Sequence, residues 1–229
     1  NTARELLHSG IYPNLFSVRG ELPLVLVLQQ ESGKTKKQFS VAHLLLKKGA
    51  NPNKQQANCY PIHAVAEYVE VPRMLNLLLA YGAEVNVQDG CGQTPLHITC
   101  IMGNINQTQI LIKAGANIHT RDNISERTPL LAAANMNQER YEIIKLLLEA
   151  DANPNDEGEY GSVLHDVVSE SCCIRSTLIL LSYGADVNKR GKKMAYLNKT
   201  PLEVANRDEI IEILMRDSKK NSLRRRASI

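Results

Sequence analysis

Apolar residues along the chain recur at the spacing of amphipathic helices. In YEIIKLLLEA (residues 141–150), isoleucine and leucine stand three or four positions apart and therefore on one face of a helix. These runs are short, and several end at a glycine, which stops a helix by adopting the left-handed conformation. Other apolar runs begin with proline, as in TPLHITC (residues 94–100), and proline is favoured at the first helical position. The pattern predicts pairs of short helices joined by turns.

Both kinds of run repeat in a fixed order. The proline position falls at residues 23, 61, 95, 129, 163 (a valine) and 201, so successive copies are 38, 34, 34, 34 and 38 residues apart. A second marker of the form LLLAYGAEVN follows every copy but the last, and ELLHSGIYPN (residues 5–14) fits as the tail of an incomplete repeat. Asp151 replaces the helix-ending glycine in one copy, where we expect a looser turn.

A repeat of roughly 33 residues that carries TPLH and then LLxxGAxxN resembles the ankyrin repeat. The resemblance implies an all-α fold, an ankyrin-repeat solenoid of stacked helix-turn-helix repeats with hairpin fingers. It divides residues 1–216 into a partial repeat (1–18), five full repeats (about 19–55, 56–88, 89–121, 122–156 and 157–190) and a shortened C-terminal cap (191–216). Residues 217–229 form a basic tail, for which we expect disorder because it lacks apolar periodicity.

Composition narrows the class of protein and its compartment. The chain contains no tryptophan and two phenylalanines, so its core must be built from leucine, isoleucine, valine and alanine. The five cysteines are odd in number and form no CxxC motif, which favours a reducing compartment, cytoplasm or nucleus, over a disulfide framework. No apolar run reaches the length of a membrane span. Because the chain begins at Asn1, we expect a fragment or a processed form.

The repeat accounts for the residues that resemble catalytic groups. His63, His97 and His165 occupy one repeat position, and a general base would not be needed three times. The family resemblance implies that this histidine bonds to loop backbone between repeats. SGKT (residues 32–35) resembles part of a phosphate-binding loop but lacks the upstream glycine of that motif. We therefore predict no catalytic site, no cofactor and no metal, and assign structural roles to His63, Thr94, Pro95, His97, Thr128, Pro129 and His165.

The surface of the repeat array is the predicted functional site. The resemblance implies that fingers and first helices line a concave face that binds another protein or a peptide. Exposed tyrosine and methionine at successive repeats would form a binding stripe, although Met102 and Met136 are also explained as cover for the edge of the core. The predicted partner-binding residues are Gln56, Cys59, Glu67, Tyr68, Cys91, Gln93, Ile101, Met102, Arg127, Asn135, Met136, Glu159, Tyr160, Ser169 and Glu170.

Charge adds two expectations. An acidic finger (Asp156, Glu157, Glu159) precedes a basic one that holds Lys189, Arg190, Lys192 and Lys193, which predicts a partner with complementary charges. In the tail, RRASI (residues 225–229) matches the pattern preferred by basophilic kinases such as cyclic-AMP-dependent kinase, which predicts phosphorylation of Ser228. Competing interpretations of the tail are a nuclear-import signal and a solvated basic end.

The sequence therefore predicts a non-enzymatic protein–protein interaction module: a scaffold, adaptor or inhibitor. One alternative is the substrate-recognition or host-targeting part of a larger ubiquitin-ligase adaptor or virulence-type protein, with an F-box or SOCS box outside these residues. Another is nucleic-acid or phosphoinositide binding through the basic insert (residues 31–38), the extended finger and the tail. The net charge of +3 is too small to predict nucleic-acid binding over the whole surface.

Overall fold

A computed structural model describes residues 13–17, 20–29, 35–57, 59–67, 72–134, 140–169, 173–193 and 196–227. Within these ranges the regular structure is helical, and isolated bridges close some loops. Odd-numbered helices are the first helix of a repeat and even-numbered helices are the second. The helices are α1 (Pro23–Leu28), α2 (Thr35–Lys47), α3 (Pro61–Ala66), α4 (Pro72–Ala80), α5 (Pro95–Met102), α6 (Ile105–Lys113), α7 (Pro129–Ala134), α8 (Tyr141–Glu149), α9 (Val163–Ser169), α10 (Ile174–Ser182), α11 (Pro201–Val204) and α12 (Asp208–Ala227).

The first helices begin at the repeated proline position. Proline already lacks the N–H that the first turn of a helix leaves unpaired, so it fits there without loss. A capping box also begins α5 and α11. In α5 the Thr94 N–H donates to Nδ1 of His97 at 3.2 Å, and in α11 the Thr200 N–H donates to the Glu203 carboxylate at 2.7 Å. Each such cap stabilises its helix by about 1 kcal/mol.

The second helices end in a left-handed turn. The φ angle is +82° at Gly82 and +88° at Gly184, and it is +69° at Asp151. The Asp151 turn is not looser in its hydrogen bonds than the Gly184 turn: the N–H groups of Asp151 and Ala152 donate at 3.1 and 3.0 Å, and those of Gly184 and Ala185 donate at the same two distances. The expectation of a looser turn was therefore wrong, because aspartate tolerates the left-handed conformation better than most residues.

The chain divides into two compact units, Asn1–Asn117 and Ile118–Ile229, called unit 1 and unit 2 here. In unit 1 the first helices α1, α3 and α5 pack in one row and the second helices α2, α4 and α6 in another. Unit 2 repeats this arrangement, with α7, α9 and α11 in one row and α8, α10 and α12 in the other. Between the rows lie fully buried aliphatic side chains, among them Leu75, Leu78 and Leu111 in unit 1 and Ile143, Leu147 and Leu148 in unit 2.

Asparagines at the end of the second marker join neighbouring repeats within a unit. In unit 1, the Asn53 amide donates to the Gly82 carbonyl at 2.8 Å and accepts the Glu84 N–H at 2.8 Å. In unit 2, Asn155 makes the same two bonds to Gly184 (2.9 Å) and Asp186 (2.7 Å). Each amide thus satisfies polar backbone of the next turn, and a typical hydrogen bond contributes about 1 kcal/mol. The repeated asparagine therefore links neighbouring repeats by hydrogen bonds.

Two segments differ from their sequence predictions. Lys36 and Lys37, predicted in a loop insert, lie in the first turn of α2. Residues 217–227, predicted to be disordered, continue α12 to Ala227. Both segments lack proline and contain lysine or arginine, which favour helices, so nothing in them ends the helix. Among the described residues, no helix is both long and apolar enough to cross a bilayer.

Candidate functional site

The fingers of unit 2 are joined to one another by backbone hydrogen bonds. A finger is the loop between the second helix of one repeat and the first helix of the next: finger A is residues 118–128, finger B is 152–162, and finger C is 186–200 apart from 194 and 195. The Glu159 N–H of finger B donates to the Ser125 carbonyl of finger A at 3.0 Å. The Lys192 N–H of finger C donates to the Tyr160 carbonyl of finger B at 2.9 Å. The three tips therefore form one connected edge.

Asp122 fixes the shape of finger A. Its carboxylate accepts the backbone N–H groups of Ser125 and Arg127, both at 3.1 Å, and pairs with the Arg127 guanidinium at 2.9 Å. Burial favours the neutral acid, but the backbone bonds and the guanidinium together outweigh it and hold the pKa of Asp122 below its usual value. The charged carboxylate thus closes the turn at the tip, and Arg127, a predicted partner-binding residue, is held in this pair.

A large apolar side chain is exposed at the tip of each of these fingers. The exposed fractions are 53% for Ile124 in finger A, 37% for Tyr160 in finger B and 56% for Leu197 in finger C. We call this set the fingertip stripe. Tyr160 was predicted from the sequence, whereas Ile124 and Leu197 were not. Ile124 has a sequence signal, because it is an isolated apolar residue between polar ones (DNISE, residues 122–126), whereas Leu197 has none, because it follows Ala195 and Tyr196.

The charged fingers are paired with each other. Glu157 of finger B contacts Lys189 at 2.7 Å and also pairs with Lys192, while Glu159 pairs with Lys193 at 3.1 Å. The predicted division into an acidic and a basic finger is therefore largely neutralised inside unit 2. Exposed ion pairs of this kind contribute little to stability, about 0–1 kcal/mol each. They leave the apolar tips as the distinctive feature of this edge.

The repeat-position histidines contact loop backbone. Nε2 of His63 lies 3.0 Å from the Gln93 carbonyl, and Nε2 of His165 lies 2.9 Å from the Lys199 carbonyl. A carbonyl only accepts, so Nε2 carries the proton in both rings. Burial lowers the pKa of both histidines, more than the backbone carbonyl raises it, which favours the neutral ring. Nδ1 of His97 lies 2.9 Å from the Thr94 hydroxyl.

In unit 1, several predicted partner-binding residues have internal contacts. The Gln56 side chain accepts the Leu22 N–H at 2.5 Å, and the Gln93 carbonyl accepts from His63. Cys59 is half-buried, and its pKa is raised to about 11, first by burial and then by Glu67 and the nearby Asp89. Such a thiol is not activated as a nucleophile.

The remaining predicted residues of unit 1 are more accessible. Glu67, Cys91 and Met102 are exposed, Met102 at 44%, and Ile101 is half-buried. Partial burial of Glu67 raises its pKa, and the nearby Asp89 raises it further. These side chains lie on the first helices and fingers of unit 1 but are mixed in character, without a run of large apolar groups.

The other predicted residues of unit 2 lie around the fingers. Glu159 is half-buried in its ion pair with Lys193, and the hydroxyl of Ser169 accepts the Tyr196 hydroxyl at 3.0 Å. Five predicted residues lie outside the described ranges, so their placement and the phosphorylation of the last one stay predictions: Tyr68, Asn135, Met136, Glu170 and Ser228. Across the described ranges, no three His, Cys, Asp or Glu side chains are placed to hold a metal ion.

Comparison with protein families matches residues 32–122 and 62–158 to a model described as ankyrin repeats in three copies. The chain is 37% identical over 118 residues to the transient receptor potential channel pyrexia of Drosophila melanogaster, covering 52% of this chain and 12% of the channel. It is 30% identical over 159 residues to human ankyrin repeat and SOCS box protein 6, covering 66% of this chain and 37% of that protein. The chain thus spans only a minor part of each relative.

Solved structures share the fold. The ankyrin repeat domain of Bcl-3, described as a unique member of the IkappaB protein family, superposes with a TM-score of 0.73 at 26% sequence identity. The match covers 93% of this chain and 90% of that domain. The similarity confirms the predicted all-α class of stacked helix-turn-helix repeats.

Proposed function

Because the chain belongs to the ankyrin-repeat family, whose domains are protein-interaction modules, we propose that it binds another protein through the fingertip stripe of unit 2. The observation that carries this proposal is the exposure of Ile124, Tyr160 and Leu197 on three fingers joined by backbone bonds. Domains of this family are generally non-enzymatic, and we propose that this chain acts by binding alone, as a scaffold, adaptor or inhibitor.

The spacing of the stripe defines the kind of partner. Fingers follow the stacking of the helices, which pack roughly 10 Å apart. A peptide in the polyproline II conformation rises about 3.1 Å per residue with three residues per turn, so side chains at every third residue lie on one side, about 9 Å apart. The partner is therefore a protein segment in the polyproline II conformation that presents apolar side chains at positions i, i+3 and i+6. The internal pairing of Glu157 and Glu159 with lysines favours a segment with little net charge.

The test is a peptide library selected on the immobilised protein, followed by calorimetry of the enriched peptides against a triple variant. In Ile124→Ser/Tyr160→Ser/Leu197→Ser, affinity should fall at least about thirtyfold, since truncation of a hot-spot residue costs about 2 kcal/mol or more. The fold should persist because the three side chains are exposed and the fingers are held by backbone bonds.

A matched control exists within the same unit. Leu178, Tyr183 and Met215 are exposed to 50%, 45% and 47%, but they lie on or just after the second helices. The triple serine variant at these positions removes a similar apolar area and should bind the selected peptides as the wild type does. Loss of binding in this control with retention in the fingertip variant would contradict the proposal.

A second candidate function is substrate recognition for a ubiquitin-ligase adaptor. The observation that favours it is the 30% identity to ankyrin repeat and SOCS box protein 6, whose name includes a SOCS box. The fingertip stripe would then receive the substrate. The complete coding sequence decides between the candidates: a SOCS box after residue 229 supports the adaptor. We also propose an intracellular location, supported by the free thiols of Cys59 and Cys91.

A further inference from the structure

The second helices of unit 1 expose a face that carries positive charge and no negative charge. On α2, the residues Lys36, Ser40, His43 and Lys47 are exposed at intervals of four, three and four positions, so they form one stripe along the helix. In the same row α4 packs against α2, and α6 packs against α4; their exposed stripes contain Arg73 and Lys113. No aspartate or glutamate occurs within these three helices.

The cations on this face have no carboxylate partner in the part of the chain that the structure describes. We define the basic face as Lys36, Lys37, Lys47, Lys48, Arg73 and Lys113. All six are exposed, and none forms an ion pair with another described residue. The nearest described acid along the chain after α4 is Glu84, in the following finger. Six positive charges on one face are notable in a chain whose net charge is only +3.

The corresponding helices of unit 2 differ. On α8 and α10 the cations are Lys145 and Arg175, and each has a carboxylate partner: Glu149 at 3.8 Å and Glu142 at 3.4 Å. The guanidinium of Arg175 also lies 3.9 Å from the ring centroid of Tyr141. The repeats of α8 and α10 thus neutralise this surface, whereas the three second helices of unit 1 leave it charged. The difference points to a ligand for the basic face.

We propose that the basic face binds an anionic phospholipid surface. Three helices side by side present a face about 20 Å wide, which suits a broad charged surface better than a single anion. Five of the six cations are lysines, flexible point charges without the two-pronged geometry with which arginine reads nucleic-acid bases. Tyr81 is exposed beside them, with its ring edge-on to His43 at 6.0 Å, and an aromatic ring with a polar tip suits the headgroup region.

Co-sedimentation with vesicles tests the proposal. The whole chain should bind vesicles of equal parts phosphatidylcholine and phosphatidylserine, but not vesicles of phosphatidylcholine alone, and binding should weaken with added salt. In Lys47→Gln/Lys48→Gln the partition coefficient should fall about twentyfold or more, because each lysine near an anionic surface contributes roughly a factor of five. The charge-matched control Lys145→Gln/Arg175→Gln should change it less than about twofold, since those cations are already paired.

Three further results would overturn the proposal. One is an equal loss in both double variants, which would mean that only net charge matters. Another is loss of vesicle binding in Arg224→Gln/Arg225→Gln/Arg226→Gln, which would assign the binding to the tail. The third is tighter, lysine-dependent binding to a DNA duplex than to the anionic vesicles, which would make the ligand a nucleic acid.

Circular dichroism melts of each variant establish that the fold is intact. The fingertip variant should still bind vesicles, so the vesicle experiment and the peptide experiment test the two surfaces independently.

Discussion

His63 in unit 1 and His165 in unit 2 occupy the same repeat position, and both are fully buried, but their rings are satisfied to different degrees. Nδ1 of His165 accepts the Ser162 N–H at 3.2 Å and lies 2.8 Å from the Ser162 hydroxyl. Nδ1 of His63 has no partner among the described residues, because Tyr60 stands where Ser162 stands and offers no hydroxyl there. The histidine and the residue three positions before it therefore work as a pair.

The difference shows how a repeat tolerates a missing partner. Both histidines keep the bond from Nε2 to the backbone of the next finger, and both rings lie near a tyrosine ring, with centroids 5.8 Å apart for Tyr60 and 5.5 Å for Tyr196. The repeat of α3 thus keeps the contact that joins repeats and loses the one that caps the helix. A buried acceptor without a donor costs about 1–3 kcal/mol.

Removal of the histidine should have the largest effect, and the effect should be larger in unit 2. His165→Ala should lower the free energy of unfolding by about 3 kcal/mol, because it breaks bonds at both ring nitrogens and leaves a cavity. His63→Ala should lower it by about 2 kcal/mol, because only the Nε2 bond is lost. Urea unfolding followed by circular dichroism measures both.

The control for this pair is the exposed His43 on α2. His43→Ala should change the free energy of unfolding by less than about 0.5 kcal/mol, as surface substitutions usually do. Equal losses in the two buried variants would show that the bonds to Ser162 contribute nothing, and the comparison between the units would lose its physical basis.

Single residues in the sequence predicted well where the helices of these repeats begin and where they turn. The helix starts at Pro95 and Pro129 and the turn at Gly184 depend on the conformational preferences of single residues, which the sequence displays directly. The histidine bonds required the family resemblance, because Gln93 is 30 residues from His63. Periodicity alone could not identify that carbonyl.

The surface was predicted less well, because it depends on which distant residues meet. Ile124 and Leu197 belong to one exposed edge only because backbone bonds join each of their fingers to finger B. Lys192 and Glu157 likewise neutralise each other across 35 positions of sequence, so counting charges in each finger gave a misleading result. The extension of α12 was missed for the opposite reason: helix propensity was outweighed by the absence of apolar periodicity.

Substitution of the residue three positions before each histidine should make the two repeats more alike in how much they contribute to the free energy of unfolding. Ser162→Ala should lower the free energy of unfolding by about 1.5 kcal/mol, because it removes the cap of α9 and a bond to buried Nδ1 of His165. Tyr60→Thr should raise it by about 0.5 kcal/mol, because the new hydroxyl supplies the missing donor while some ring packing is lost. Thermal and urea unfolding measure both changes. A destabilised Tyr60→Thr variant would mean that the packing of the Tyr60 ring near His63 matters more than the cap.

The smallest effect should come from the turns of unit 2, where two neighbouring repeats differ at one residue. Asp151 and Gly184 both have positive φ angles, and a Cβ added at Gly184 would meet no atom within 4 Å. Any cost of a side chain there is therefore conformational rather than steric. Gly184→Asp should lower the free energy of unfolding by about 1 kcal/mol, and Asp151→Gly should raise it by about 0.5 kcal/mol, since the left-handed region costs other residues about 1–2 kcal/mol and aspartate less.

Gly184→Ala serves as the reference, with a loss at least as large as that of Gly184→Asp, because alanine lacks the short polar side chain that eases this conformation. A smaller loss for alanine than for aspartate would show that the negative charge at the C-terminus of the second helix, rather than the backbone conformation, sets the difference between the two turns.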